Sequence, residues 1–174
     1  MPGMKEVDPS TTTGNVRTLL DGIAKKRGYL PPLMRVMAHS PALLSGYIGF
    51  MSAMARGVLT TAMQERIALA VSQANDCRGC LAAHIGFARA TGLTDEEIAA
   101  ARSFSSADPK AAEMLSVARM MFETRGHLSE AQRASVRDSG LGEDTLVEIA
   151  ALVGINGLTN SVSSLAQIEA TSVR

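Results

Sequence analysis

The chain is punctuated by start signals for helices, with almost nothing that would start a strand. Ser40-Pro41 and Asp108-Pro109 each place a capping side chain directly before a proline. Proline has the fixed φ of a first helical residue and no N–H that needs a partner there. Thr61 with Gln64, Thr94 with Glu97 and Ser129 with Gln132 have the spacing of capping boxes, in which two side chains satisfy free backbone amides of the first turn. Gly28, Gly57, Gly92 and Gly126 stand where helices would stop. Between these marks the segments are rich in Ala, Leu and Met, with little period-two alternation. The chain is therefore expected to be all-α, a single-domain helical bundle. Its 46% apolar content over 174 residues suffices for one core and makes a second domain unnecessary.

Residues 1–14, rich in Thr, Ser, Pro and Gly, read as a flexible N-terminal arm, and residues 15–174 as the helical domain. A first helix ends at Gly28, a short one enters at Pro31 or Pro32, and the next runs from Pro41 to Gly57. Another covers about Thr61 to Gln73 and is broken by Gln73-Ala74-Asn75-Asp76. A helix from about Cys77 to Thr91 follows, with Asn75 or Asp76 as its cap. The last, mostly apolar helix spans about Glu143 to Glu169, for a total of eight or nine. Seventeen basic residues balance seventeen acidic ones without a basic run, which disfavours nucleic acid as a partner. The polar start and the lack of an uninterrupted apolar run of roughly 18 residues disfavour a membrane and suggest a soluble, cytoplasmic protein.

The chemistry concentrates in "QERIALAVSQANDCRGCLAAHIG". Cys77 and Cys80 are the only cysteines, and His84 follows one turn later. At about 100° per residue the three side chains fall within roughly 60° of one another on a helix face. A pair at a helix start meets free amides and the positive end of the dipole, which favour a thiolate, the reactive form. It can also close a disulfide within the first turn. Arg78 adds a positive charge, Gly79 permits close approach, and His84 can exchange protons near neutral pH. Glu65 shares a face with Ala68, Leu69 and Ser72 on the preceding helix, an unusual place for a carboxylate, and the short turn brings it within reach of the thiols. Three zinc ligands from Cys77, Cys80 and His84, with Glu65 or His39 as a fourth, remain an alternative. So does a helix core that happens to hold two thiols. His39 suits helix-end capping. Asn156 and Asn160 suit core or interface packing, with a place near the site as the second reading for Asn160.

Glu65, Cys77, Cys80 and His84 together reproduce E-x11-C-x2-C-x3-H. In this the chain resembles the alkylhydroperoxidase D-like branch of the carboxymuconolactone decarboxylase superfamily, over about residues 28–168. The segment "LPPLMRVMAHSPALLSGYIGF" resembles the part that precedes the motif in single-repeat members, and "LVGINGLTNSVSSL" their final helix. The resemblance implies an all-helical fold assembled as a homo-oligomer, a hexamer ahead of a trimer, with the motif lining a pocket. It implies a peroxide substrate and a thiol or dithiol reductant. Cys80 would attack the peroxide, Cys77 resolve the sulfenic acid, and Glu65 and His84 relay protons. No cofactor and no metal are expected. Where some members have Ser-His between the cysteines, this chain has Arg78-Gly79, so any role for an extra histidine is absent. Lactone decarboxylation and a non-enzymatic, redox-sensing or metal-holding oligomer are the rival readings.

Overall fold

The computed structural model describes residues 4–168. Among these residues the secondary structure is helical throughout, with no strand. In chain order the helices are α1 (Gly14–Arg27), α2 (Pro32–Met37), α3 (Pro41–Met54), α4 (Thr61–Ala74), α5 (Arg78–Ala90), α6 (Asp95–Ala101), α7 (Pro109–Thr124), α8 (Glu130–Asp138) and α9 (Glu143–Ala166). The last helix ends at Ala166, and Glu169, where the sequence would end it, lies outside the described residues.

α4 is the axis of the arrangement. Every residue from Met63 to Ser72 except Glu65 is buried, so this helix is enclosed on all sides rather than amphipathic. Its alanines and Ser72 let neighbours approach closely, and α5, α9, α6 and α7 all pack against it. Ile67, Val71, Leu115, Ile149 and Leu152 form the main core between α4, α7 and α9. Leu20, Met37 and Leu44 build a second cluster under α1–α3, and Leu69, Ala88, Ile98 and Ala101 a third under α5 and α6. By length and composition α9 is apolar enough to cross a membrane. Here it runs through the bundle against α2, α4, α5 and α7.

Local chemistry sets the helix ends. Ser40, Asp108, Thr94 and Ser129 cap α3, α7, α6 and α8 as the sequence indicates, the last two in complete capping boxes. Glu97 closes its box with one carboxylate oxygen and accepts from Arg66 of α4 with the other at 2.7 Å. The Thr94 amide first, and the Arg66 guanidinium after it, hold the Glu97 carboxyl below its usual range. Two boundaries here differ from expectation. α3 stops at Met54, short of Gly57. The cap of α4 is Thr60, whose hydroxyl accepts from the Met63 amide. Gln64 makes no capping box there: its buried amide donates to the Met54 and Leu59 carbonyls, both at 2.9 Å. This tertiary demand outweighs the local one, because those carbonyls belong to Met54 and Leu59, the buried residues at the bend between α3 and α4.

The described part of the N-terminal arm lies along α2. The Val7 amide donates to the Arg35 carbonyl, Glu6 pairs with Arg35, and His39 Nε2 donates to the Lys5 carbonyl at 2.8 Å. His39 thus fastens this segment.

Glu148 of α9 crosses to the bend before α4, where its two oxygens accept the Val58 and Leu59 amides at 2.9 and 3.0 Å. A Cβ added to Gly57 would meet that carboxylate at 2.3 Å, so the clamp requires glycine there. Gly57→Ala should lower unfolding stability by about 1–3 kcal/mol. In a Glu148→Ala background, already weakened by loss of the two bonds, the same change should cost much less. Urea titrations of the four proteins measure the coupling, and additive effects would contradict the clamp.

Candidate active site

The site begins with the way α4 ends. Asn75 closes the helix, Asp76 takes a left-handed conformation (φ 51°), and two bonds run back: Asp76 amide to Gln73 carbonyl and Cys77 amide to Ser72 carbonyl. This is a Schellman motif with aspartate in the place glycine usually takes, a substitution that short polar residues tolerate best. The chain then enters α5 at once. Cys77, rather than Asn75 or Asp76, is its N-cap, and the Cys77 carbonyl accepts the Leu81 amide at 2.8 Å. Asp76 is already committed to ending α4, so it cannot also start α5.

Cys77 and Cys80 are joined in a disulfide across this first turn, their Cα atoms 5.3 Å apart. Both are nearly enclosed. One turn on, His84 Nδ1 donates to Glu65 Oε2 at 2.7 Å, linking α5 to α4 with both side chains largely covered. The other ring nitrogen, Nε2, has no protein partner among the described residues and is the one left to serve a ligand. Cys80 and His84 line a narrow pocket of about 90 Å³, and Cys77 is not on its wall. A smaller space of about 30 Å³ lies behind it, where His84 and Glu65 meet Tyr47, Gln64 and Asn156. That is room enough for water beside the pair, and the site is polar enough to hold it.

The pocket roof comes from parts of the chain with no local signature of function: Tyr29 and Pro31 before α2, Pro32 at its start, Tyr47 of α3, and Arg27 at the end of α1. Burial pushes the Tyr47 phenol up, an effect that Arg27 opposes and Glu65 reinforces, so the hydroxyl is a neutral donor at physiological pH. The scarcity of aromatic residues, two Tyr and four Phe in the whole chain, was the available hint that those present mattered. Asn160 of α9 belongs next to the site. Its Oδ1 accepts from Asn75 Nδ2 at 2.9 Å and its own amide donates to Ser72 Oγ at 3.3 Å, bracing the turn that delivers Cys77.

The four residues singled out in the sequence, Glu65, Cys77, Cys80 and His84, are thus brought to one place. His39 is not among them, being engaged with the N-terminal segment. Among the described residues no group of three or more His, Cys, Asp or Glu side chains is arranged to hold a metal ion, because the two sulfurs are bonded to each other and Glu65 is turned onto His84.

Residues 41–120 match the carboxymuconolactone decarboxylase family model. The fold is shared with a peroxidase-related protein of Ralstonia eutropha JMP134 described as an alkylhydroperoxidase AhpD core, at TM-score 0.82 and 22% identity over 95% of this chain and 90% of that one. A peroxidase-related protein of Silicibacter sp. TM1040 is similar at TM-score 0.81 and 21% identity, over 96% and 91% of the two chains. The debrominase Bmp8, as a cysteine-to-alanine variant in complex with 2,3,4-tribromopyrrole, is similar at TM-score 0.76 and 21% identity, over 98% and 95%. No curated protein matches the sequence.

Asn160→Ala should strand the Asn75 amide and lower stability by about 1–3 kcal/mol, with faster hydrogen exchange at the Cys77 amide than at core amides of α4. A normal urea midpoint with unaltered exchange would remove Asn160 from the support of the turn.

Proposed function

We propose, from the family-model match over residues 41–120 and the fold shared with alkylhydroperoxidase D-like proteins, that this chain is a thiol peroxidase of the carboxymuconolactone decarboxylase superfamily. It reduces hydrogen peroxide or a small organic hydroperoxide through a Cys77–Cys80 disulfide cycle. The observation that carries this reading is the pairing itself: a disulfide at the first turn of α5, with Cys80 on the wall of a pocket that also holds one end of a Glu65–His84 pair.

In the reduced protein the free amides and dipole of the first turn of α5 favour the Cys80 thiolate. It attacks the terminal peroxide oxygen, the O–O bond breaks, and the two electrons come from sulfur, which becomes a sulfenic acid. The proton lost by the Cys80 thiol passes to His84 Nε2, where Glu65, holding Nδ1–H, stabilises the charged ring, and the departing alkoxide takes that proton back. Cys77 then attacks the Cys80 sulfur, the S–O bond breaks, and the hydroxide leaves as water with the proton that the Cys77 thiol gives up. The disulfide so formed is reopened by an external thiol or dithiol, which is itself oxidised. The placement of Cys80, and not Cys77, on the pocket wall supports Cys80 as the attacking sulfur. The reading includes a homo-oligomer, a hexamer ahead of a trimer, working in the cytoplasm. Val147, Leu158 and Leu165, left exposed on α9, support a self-contact.

The likeness to Bmp8 gives a second thiol reading, reductive removal of bromine from a bromopyrrole, and a bromide-release assay run in parallel separates the two.

A stoichiometric pulse of peroxide on reduced protein should consume both thiols and leave a mass lower by two hydrogens. Cys80→Ser should abolish the reaction, whereas Cys77→Ser should still react once and stop at a trappable sulfenic acid. Glu65→Gln should slow thiol oxidation by about 100-fold with the fold retained. Full turnover by Cys80→Ser would overturn the assignment, and lactone turnover by the doubly substituted protein would return the choice to decarboxylation.

A further inference from the structure

We propose that the Cys80 pocket is a site for apolar carboxylates, and that the hydroperoxides it prefers carry a carboxylate held by Arg27 about two helical turns from the reacting oxygen. The preference for hydroperoxides rests on the peroxidase reading above; the carboxylate site does not.

The argument starts from one face of α5. Cys80, His84 and Phe87 follow at helical spacing along the pocket wall, and seven residues of α-helix span about 10 Å. Arg27 stands over the far end, its guanidinium carbon 5.1 Å from the Phe87 ring centre. The pocket is therefore an open channel with a sulfur on its inner wall and, at its solvent-exposed mouth, a cation, bordered between them by prolines, Leu33 and tyrosine rings.

Arg27 is the one permanently charged side chain on this wall, and among the described residues it forms no ion pair with a carboxylate. A helix C-terminus favours cations, which explains a positive charge at the end of α1. Lys25 and Lys26 already supply it there, and it does not call for a guanidinium beside an aromatic ring at the mouth of a pocket, where Arg27 is exposed. Beside Phe87 and without a side-chain hydrogen-bond partner among the described residues, the planar group has N–H donors to offer a carboxylate in a fork that an ammonium could not reproduce. The other polar groups on the wall, the Tyr29 and Tyr47 phenols, Thr159 and Ser163, are neutral and present no competing anion. Hydrogen peroxide would use none of this construction. A neutral apolar hydroperoxide would leave the exposed guanidinium unused, whereas a carboxylate with an apolar chain engages both the pocket and the cation at its mouth.

The experiment compares 8-hydroperoxyoctanoate with its methyl ester by kcat/KM, in the parent protein, Arg27→Gln and Arg27→Lys. The parent should favour the acid by about fivefold or more, chiefly through KM, and the ratio should fall with ionic strength. Arg27→Gln should bring it to near parity and Arg27→Lys should restore only part. The shorter 4-hydroperoxybutanoate should show little preference over its ester, because its carboxylate cannot span the channel. An acid-to-ester ratio near one in the parent, or one unchanged in Arg27→Gln, overturns the proposal while leaving the peroxidase reading intact. Calorimetric titration of octanoate and methyl octanoate into the oxidised protein reads the same site without turnover. Binding of octanoate that is lost in Arg27→Gln supports the carboxylate site even if no peroxide is consumed, in which case the peroxidase reading alone fails. Equal binding of acid and ester overturns the site.

Discussion

The turn between α4 and α5 is the constraint on which the rest of the site depends. Two helices meet there with no linker between them: the two backbone bonds that finish α4 use the amides of Asp76 and Cys77, and Cys77 is already the cap of α5. The relative placement of the helices is consequently fixed by backbone hydrogen bonding and not by side-chain fit alone. That placement sets Glu65 against His84 across the α4–α5 contact and holds the two sulfurs within one turn. Lengthening the turn by one residue would rotate α5 by about 100° and take His84 off Glu65.

Energetically the turn is supported from behind. α9 contributes the buried Asn160, whose amide bonds to both Asn75 and Ser72, and in a core this apolar such a polar link is costly to break and specifies one register. The same helix uses Glu148 at its other end to hold the bend before α4. α9 therefore grips both ends of α4, the helix that carries Glu65. This explains why a helix apolar enough to resemble a membrane span keeps Asn, Thr, Ser and Glu at chosen positions.

Much of the fold could be read from local chemistry. The caps at Ser40, Thr94, Asp108 and Ser129 depend only on residues within one turn, and each is found where the spacing puts it. The same reasoning fails at Thr61–Gln64, where a buried glutamine is claimed by carbonyls of another segment, and at Asp76, where the end of one helix competes with the start of the next. At the site, Glu65, Cys77, Cys80 and His84 share a short stretch of sequence, so spacing alone brought them together. Arg27, Tyr29 and Tyr47 are separated from that stretch by most of a helix pair, and only the packing of α1–α3 over α5 reveals them as its roof. Asn160 was visible as a polar residue in an apolar helix, but its partner in the turn was not.

The composition of that roof has an optical consequence. The chain has no tryptophan and two tyrosines, and both tyrosines lie on the pocket beside Cys80. The tyrosine emission of the protein, excited at wavelengths where phenylalanine does not absorb, therefore originates at the site. Opening or closing the disulfide, or filling the pocket, changes the surroundings of both tyrosines at once. A signal that in most proteins averages over the whole fold is here confined to the few ångströms where chemistry is proposed, without a label or a substitution.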